Sequence, residues 1–387
     1  IMDDWYGLPQ WWPNENGEIT NTDFFQGDLK GIIMKLDYLK KLGVTCIYLT
    51  PISKSYSNHR YDTGDYSEVD PMLGTEEDFK TLCKEAKKLG IHVINDGVYS
   101  HTGCDSKYFN RFGNYGDGGA YRDRNSPYFS WYKFNEWPNN YNSWWGFYTL
   151  PEVHEEDPNF NEYINGENGI VRKWMRDGNS GWRLDVADEL PDVFLENLRK
   201  AVKAENPEGF AIGEVWEDAS NKESYGARRK FILGDQLDSV MNYVFRNAII
   251  DFCKGVDAKY VMSNILNILE NYPRPVIRVL MNLLSTHDTE RILTVIAGEP
   301  LNGRDRKWQA ETKLTKKQRK VGLQLVKIAT GIQYTLPGFP CVYYGDEAGM
   351  EGYRDPFNRC GFPWGKEDND LVEWYKDLGQ MRGSISA

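Results

Sequence analysis

The sequence has no run of about 18 apolar residues, so no membrane-spanning helix is predicted, and its mean hydropathy is -0.62. It has no basic surplus: 46 Lys and Arg stand against 57 Asp and Glu, a formal net charge of -11. A surface of that sign repels phosphate, so neither nucleic acid nor an anionic membrane is expected as a partner. Cysteine is sparse. The six residues at 46, 83, 104, 253, 341 and 360 form no Cys-x-x-Cys pair, which speaks against a zinc or redox motif and against a disulfide framework. Cys46 and Cys341 lie in apolar runs and read as small core residues. No basic, apolar, small-residue export signal opens the chain at Ile1, and extracellular and cytoplasmic locations both stay open.

What is present is a chain of 387 residues, 40% hydrophobic and 27% charged. That composition excludes a disordered or fibrous protein, and the length suffices for a large core without staples. Aromatics are abundant, with 13 Trp, 24 Tyr and 17 Phe. Flat rings with polar edges suit sugar faces, and they equally suit a ring-rich core.

Strand-like and helix-like patterns alternate. Apolar or β-branched runs occur at Val44–Ile52, His92–Val98, Gly181–Ala187, Phe210–Val215, Gln236–Asn242, Val279–Thr286 and Cys341–Glu347. Helical periodicity fills Asp28–Leu42, the stretch from Thr75 to Gly90, Glu162–Asp177, Asp192–Ala204, Ala248–Leu269, Thr315–Thr330 and Asp370–Arg382. Thr75-Glu76-Glu77-Asp78 looks like a capping box. Alternation of this kind implies parallel strands joined by crossover helices. No glycine-rich phosphate loop follows an early strand, so an α/β (β/α)8 TIM barrel is expected rather than a Rossmann sheet. Residues 1–26 read as an aromatic, polar loop, and the first barrel strand is expected upstream of Ile1.

One interval breaks the rhythm. Residues 101–161 hold no helix–strand unit and are rich in Gly, Asn, Pro and aromatics; eleven aromatics fall between Tyr128 and Tyr148. An irregular segment of that length in a compact barrel reads as a functional insertion. The expected division is barrel over 1–100, insertion subdomain over 101–161 and barrel again over 162–387.

Acidic residues cluster at strand ends. Asp96, Asp185, Glu214 and Asp288 each close or follow one of the predicted strands, with Arg183 two residues before Asp185 and His287 beside Asp288. In a parallel barrel all those ends reach one face. Carboxylates gathered there repel, so at least one holds a proton near neutrality. An acid beside a carboxylate nucleophile is the chemistry of glycoside hydrolysis. A lone strand-end Asp more often caps the next helix, but four in succession with an Arg and a His make that a poor account.

Here a family resemblance enters. Asp96-Gly97-Val98-Tyr99-Ser100-His101, Gly181-Trp182-Arg183-Leu184-Asp185-Val186-Ala187, Gly213-Glu214-Val215-Trp216 and Ser285-Thr286-His287-Asp288 resemble, in order, the four signatures of the α-amylase family, glycoside hydrolase family 13. The wording of Asp185 to Glu189 and of Trp216 to Ser220 is most similar to the neopullulanase, cyclomaltodextrinase and maltogenic amylase branch of bacterial-type enzymes. The resemblance implies a retaining hydrolase of α-1,4 links in starch-type glucans, including pullulan or cyclodextrins. Asp185 would be the nucleophile, Glu214 the acid and then the base, and Asp288 the residue that binds and distorts the sugar. Tyr61, Asp62, His101, Arg183, Trp216, His287, Asp355 and Arg359 would contact substrate, and Asp96 would support the site. Nucleophile and acid should lie about 5–5.5 Å apart. Asp62 is balanced between sugar contact and pinning its own loop. His59 and His154 are as readily packing residues as ligands, and His92, within its strand run, reads as a satisfied core or barrel-end histidine.

The family signature commonly carries Asn where this chain has Ser100, and in many amylases that Asn binds calcium. A hydroxyl is a poorer ligand for a hard cation than an amide or carboxylate oxygen, so no calcium is expected at Ser100 and no cofactor is required, while other calcium sites stay open. The β-sandwich that usually follows the barrel is expected outside this chain, as are regions through which the branch forms homodimers. Two rivals stand beside hydrolysis. A transglycosylase would use the same residues with a sugar acceptor. A non-catalytic sugar-binding scaffold would be expected to have lost the acids that this chain keeps.

Overall fold

The computed structural model describes residues 27–384. The loop reading of residues 1–26 lies outside them. Seven parallel strands run through the described residues: β1 Cys46–Leu49, β2 His92–Gly97, β3 Gly181–Leu184, β4 Phe210–Gly213, β5 Ser239–Val240, β6 Met281–Leu283 and β7 Phe339–Cys341. β1 to β5 form one sheet in chain order, β6 pairs with β7, and a parallel bridge between Met241 and Met281 joins the two groups. Each strand therefore lies beside its predecessor throughout. That is the order of a (β/α) barrel and not of a doubly wound sheet, whose order reverses at a switch point.

Alternation along the strands builds the interior. Inward positions recur every second residue. Ile94, Ile212, Met241, Met281 and Leu283 form an apolar plug, with Tyr48, Phe210, Phe339 and Cys341 packed against it. Toward the carboxyl ends the same inward rows turn polar, passing from Ile94 to Asp96 and from Ile212 to Glu214. Arg183 lies opposite Asp96 in the β2–β3 register and opposite Ile212 in the β3–β4 register. Its Nε sits 3.3 Å from Met241 Sδ, directly against the plug.

Helices cover the outside. The Thr75 capping box is present, with Thr75 Oγ1 accepting from Asp78 N and the Asp78 carboxylate accepting from Thr75 N, and it opens the helix Glu76–Lys88. Several predicted helices are broken. The run from Asp28 becomes Leu29–Met34 and Leu36–Lys41, with Asp28 as a side-chain N-cap. The run expected over Ala248–Leu269 is two helices, Tyr243–Cys253 and Ala258–Asn271, parted around Gly255, whose φ of +87° ends a helix at little cost. β7 is Phe339–Cys341 rather than the expected Cys341–Glu347. Past Cys341 the chain turns around the buried Arg291, which donates to Tyr344 O (2.7 Å) and pairs with Asp346 (3.1 Å).

Between β2 and the helix Pro158–Asn165 the chain leaves the barrel. This stretch holds one small hairpin, Phe134–Glu136 with Asn140–Tyr141, and two short 3-10 turns. Its return strand is stitched to its outgoing strand, with Val153 N donating to Ser100 O (3.0 Å) and Thr102 N to Pro151 O (3.1 Å). Rings fill its core. Phe109 is fully buried and meets Tyr132, Tyr141, Phe134 and Tyr121 at centroid distances of 4.9, 4.7, 5.9 and 5.6 Å.

Candidate active site

The site is organised by one cation. Arg183 is wholly buried, and its Nη1 reaches both oxygens of Asp96 (2.8 and 2.9 Å) and Asp185 Oδ1 (2.9 Å). Its Nη2 lies 2.8 Å from Glu214 Oε2. Asp185 and Glu214, from the ends of adjacent strands, thus flank one guanidinium. The planar fork suits this task, because it holds several carboxylates at fixed angles where an ammonium would hold them loosely.

Glu214 is held by two further donors. Val186 N donates to Oε2 (2.9 Å) and Trp216 Nε1 to Oε1 (3.0 Å). Val186 has φ +38°, a left-handed conformation that β-branched residues avoid. That turn follows Asp185 at once and aims the Val186 amide across to Glu214, so backbone strain is spent on positioning. Asp96 is anchored further at Oδ2 by the hydroxyls of Tyr48 (2.6 Å) and Tyr61 (2.7 Å).

Charge is unbalanced here. Asp96, Asp185 and Glu214 crowd one buried guanidinium, and Asp288 faces them. Burial pushes the Asp185 carboxyl well above the usual carboxylate range; Arg183 pulls it down, and Glu214, Asp96 and Asp288 push it further up. Burial likewise raises Asp96 and Asp288, with Arg183 opposing in both.

The remaining predicted residues gather around this centre. His287 Nε2 lies 2.6 Å from Tyr61 Oη and 3.1 Å from Asp288 Oδ2, and its ring stacks on Tyr61 at 5.2 Å. Burial, with Arg359 and Arg183 nearby, lowers the His287 pKa well below the usual value. The ring is thereby kept neutral, with Tyr61 Oη and Asp288 Oδ2 both within reach of its Nε2. His101 is lowered to about 4 by burial. Its Nε2 is 3.0 Å from Tyr61 O, its Nδ1 is 3.0 Å from Ser100 Oγ, and its ring meets Trp144 at 4.9 Å. Arg359 donates to His287 O (3.0 Å) and stands 3.3 Å from Asp355 and 3.7 Å from Asp288. Trp216 is half-exposed and stacks on Tyr243 at 3.9 Å.

Asp62 is buried, with one oxygen accepting from Ser57 N (3.0 Å) and the other from the Ser57 hydroxyl. Both oxygens are therefore used inside their own loop, the alternative to sugar contact. His92 opens β2 at the far end of the strand from Asp96, 3.3 Å from Ser180 Oγ, and His154 is exposed in the insertion. Ser100's hydroxyl is engaged by His101, and among the described residues no group of three or more His, Cys, Asp and Glu is arranged to hold a metal.

Tyr48, Val186, Asn358 and Glu189 were not singled out from sequence. Asn358 Nδ2 donates to His287 O (2.8 Å) and Thr289 O (2.8 Å) and so fixes the loop that bears Asp288. Tyr48 had a signal: a phenol in the apolar strand Cys46–Leu49, at an inward position, needs a buried acceptor. The conformation of Val186 left none in the sequence.

A parallel barrel with carboxylates gathered around an arginine at its carboxyl end defines a barrel-type carbohydrate-active domain. The family profile described as "Alpha amylase, catalytic domain" matches residues 8–380, and the chain belongs to the α-amylase family. It is 41% identical over 421 aligned positions to an amylopullulanase of Thermoanaerobacterium saccharolyticum, covering 98% of this chain and 31% of that protein. It is 34% identical to neopullulanase 2 of Thermoactinomyces vulgaris, covering 98% of this chain and 60% of the relative. Among solved structures, the type III pullulan hydrolase from Thermococcus kodakarensis superimposes with a TM-score of 0.81 at 32% identity, over 95% of this chain and 62% of that one. The chain thus spans only part of the length of these relatives.

Proposed function

We propose that the domain is a retaining hydrolase of α-1,4-glucosidic bonds in starch-type glucans. The observation that carries this reading is Arg183 held between Asp185 and Glu214. It joins a nucleophile and an acid at the ends of neighbouring strands. Asp185 attacks the anomeric carbon as Glu214 protonates the leaving glycosidic oxygen, which gives a glycosyl ester on Asp185. Glu214 then removes a proton from water, which attacks the anomeric carbon and frees Asp185. Arg183 favours the ionised nucleophile against its burial. Asp288, His287, His101 and Tyr61 surround the reacting sugar, and Asp288 takes its hydroxyls. Trp216 lines the leaving-group side, while Asp355 and Arg359 border the opposite end. No step needs a cofactor, and Ser100, engaged by His101, is not proposed as a calcium ligand.

Side-by-side digestion of starch, pullulan and β-cyclodextrin, with products separated by size, tests the reading. Glu214→Gln and Asp185→Asn should each lose about three or more decades of turnover, since each removes a unit of acid or covalent catalysis. Near-normal turnover in either variant would end it.

A further inference from the structure

Arg183 meets its carboxylates with its two outer nitrogens. Nη1 serves Asp96 and Asp185, and Nη2 faces Glu214. The third nitrogen, Nε, turns to the apolar plug. Its hydrogen-bond partner among the described residues is the thioether of Met241, with Sδ 3.3 Å away. Both side chains are buried, so bulk water does not reach this donor. The plug is otherwise poor in acceptors: Ile94, Ile212 and Leu283 have none, and Met281 carries the other sulfur.

Met241 is itself fixed at a junction. It follows β5, and its backbone N donates to the carbonyl of Gly213 (2.9 Å), the residue before Glu214. A parallel bridge to Met281 holds it from the other side. The sulfur therefore stands at a set place relative to Glu214. The guanidinium is confined on a face as well, since the Tyr48 ring lies 5.8 Å from its central carbon.

A guanidinium is planar and rigid, so the direction of its Nε–H sets the directions of Nη1 and Nη2. Two carboxylates compete for Nη1. Asp96 takes two contacts (2.8 and 2.9 Å) and Asp185 one (2.9 Å). Without an acceptor at Nε, a buried donor is left unpaired and the fork is free to tilt toward Asp96, away from Asp185. A thioether suits the position. It is uncharged and a weak acceptor, so it orients the donor without drawing positive charge from the carboxylates, and it packs in the plug as a hydrophobe. A carboxylate there would compete with Asp185 for the same charge.

We propose that Met241 is a positioning residue for the reaction: its sulfur accepts from Arg183 Nε and so aims the guanidinium at Asp185 and Glu214 together. It acts through Arg183 and not on the sugar. The proposal rests on the reading of the domain as a retaining hydrolase and adds to it what sets the angle of the central cation.

The test compares the parent protein, Met241→Leu and Met241→Gln on maltohexaose, with kcat, KM, the pH profile of kcat/KM and the melting temperature measured for each. Leu keeps the volume and loses the acceptor, and exchange of Met for Leu in a core is well tolerated. Gln restores an acceptor at similar reach. In the Leu variant kcat should fall about tenfold with KM within about twofold. The acidic limb of the profile should move up by about half a pH unit or more, because Asp185 loses part of the pull of Arg183 against its burial. Gln should bring both readings back toward the parent. A Leu variant with kcat within about twofold of the parent overturns the proposal. So does a slower Leu variant whose limb stays put, since a packing defect alone has that signature. So does a Gln variant that melts like the parent and works no better than Leu; should Gln melt well below the parent, the Leu arm decides alone. Turnover of maltohexaose by the parent checks the underlying reading separately. Its absence overturns both, whereas intact turnover with a parent-like Leu variant overturns the role of Met241 alone.

Discussion

The barrel face and the insertion beside it are held by opposite means. On the barrel face, one buried guanidinium gathers Asp96, Asp185 and Glu214, and almost every contact is ionic or hydrogen-bonded. In the insertion, the described residues hold a rosette of rings around Phe109, backed by a two-stranded stitch. The first arrangement stores charge where it cannot be solvated, which is costly for stability and useful for catalysis. The second stores apolar area in a segment with little regular structure, and so keeps a long irregular insertion in one shape. The two meet at Trp144, which touches His101 on one side and Glu189 on the other.

The comparison is broken most severely at Arg183. Arg183→Lys keeps a positive charge and loses the fork, so Asp185 and Glu214 can no longer share it. Turnover should fall at least about 1,000-fold, roughly 4 kcal/mol of transition-state stabilisation. The pH profile adds a sign. In the proposed mechanism Asp185 reacts only when ionised, and its carboxyl is already raised by burial against the pull of Arg183. Activity should therefore rise with pH through that raised value, and the acidic limb should move further up in the variant. A limb that stays put would show that Arg183 does not govern the ionisation of Asp185. On the other side, Phe109→Ala removes the centre of the ring cluster and should cost about 3 kcal/mol of stability. Hydrogen exchange should quicken within residues 98–157 and stay slow in β2 to β4. Equal loosening in both regions would mean that the insertion and barrel unfold as one unit.

The sequence carried the polar half of the site more fully than the aromatic half. Asp96, Arg183, Asp185 and Glu214 are legible because strand ends in a parallel barrel share one face, and a two-residue period fixes which side chains point inward. The order of the strands was legible for the same reason. Helix breaks such as that at Gly255 were hidden inside continuous apolar periodicity, since an intrahelical Gly and a terminal one look alike in sequence. The turns at Trp145-Gly146 and Tyr225-Gly226, with positive φ at all four residues, were hidden more deeply. Each reads as an aromatic followed by Gly, a pair with no local preference for a left-handed turn, and only the tether to Glu189, from Trp145 Nε1 (2.8 Å) and from the Tyr225 hydroxyl, accounts for it. Asp62 shows the converse, a motif residue whose carboxylate is consumed by Ser57 within its own loop.

The central claim, that Asp185 and Glu214 act on one bond from two sides, is tested most directly by trapping the covalent intermediate. A maltosyl fluoride needs no acid to leave, and the Glu214→Gln variant lacks the base that activates water for the second step. Incubating the two and measuring the intact mass should show one added maltosyl group, with peptide mapping placing it on Asp185. Absence of the adduct, or its attachment to Asp288 or Asp96, would contradict the account.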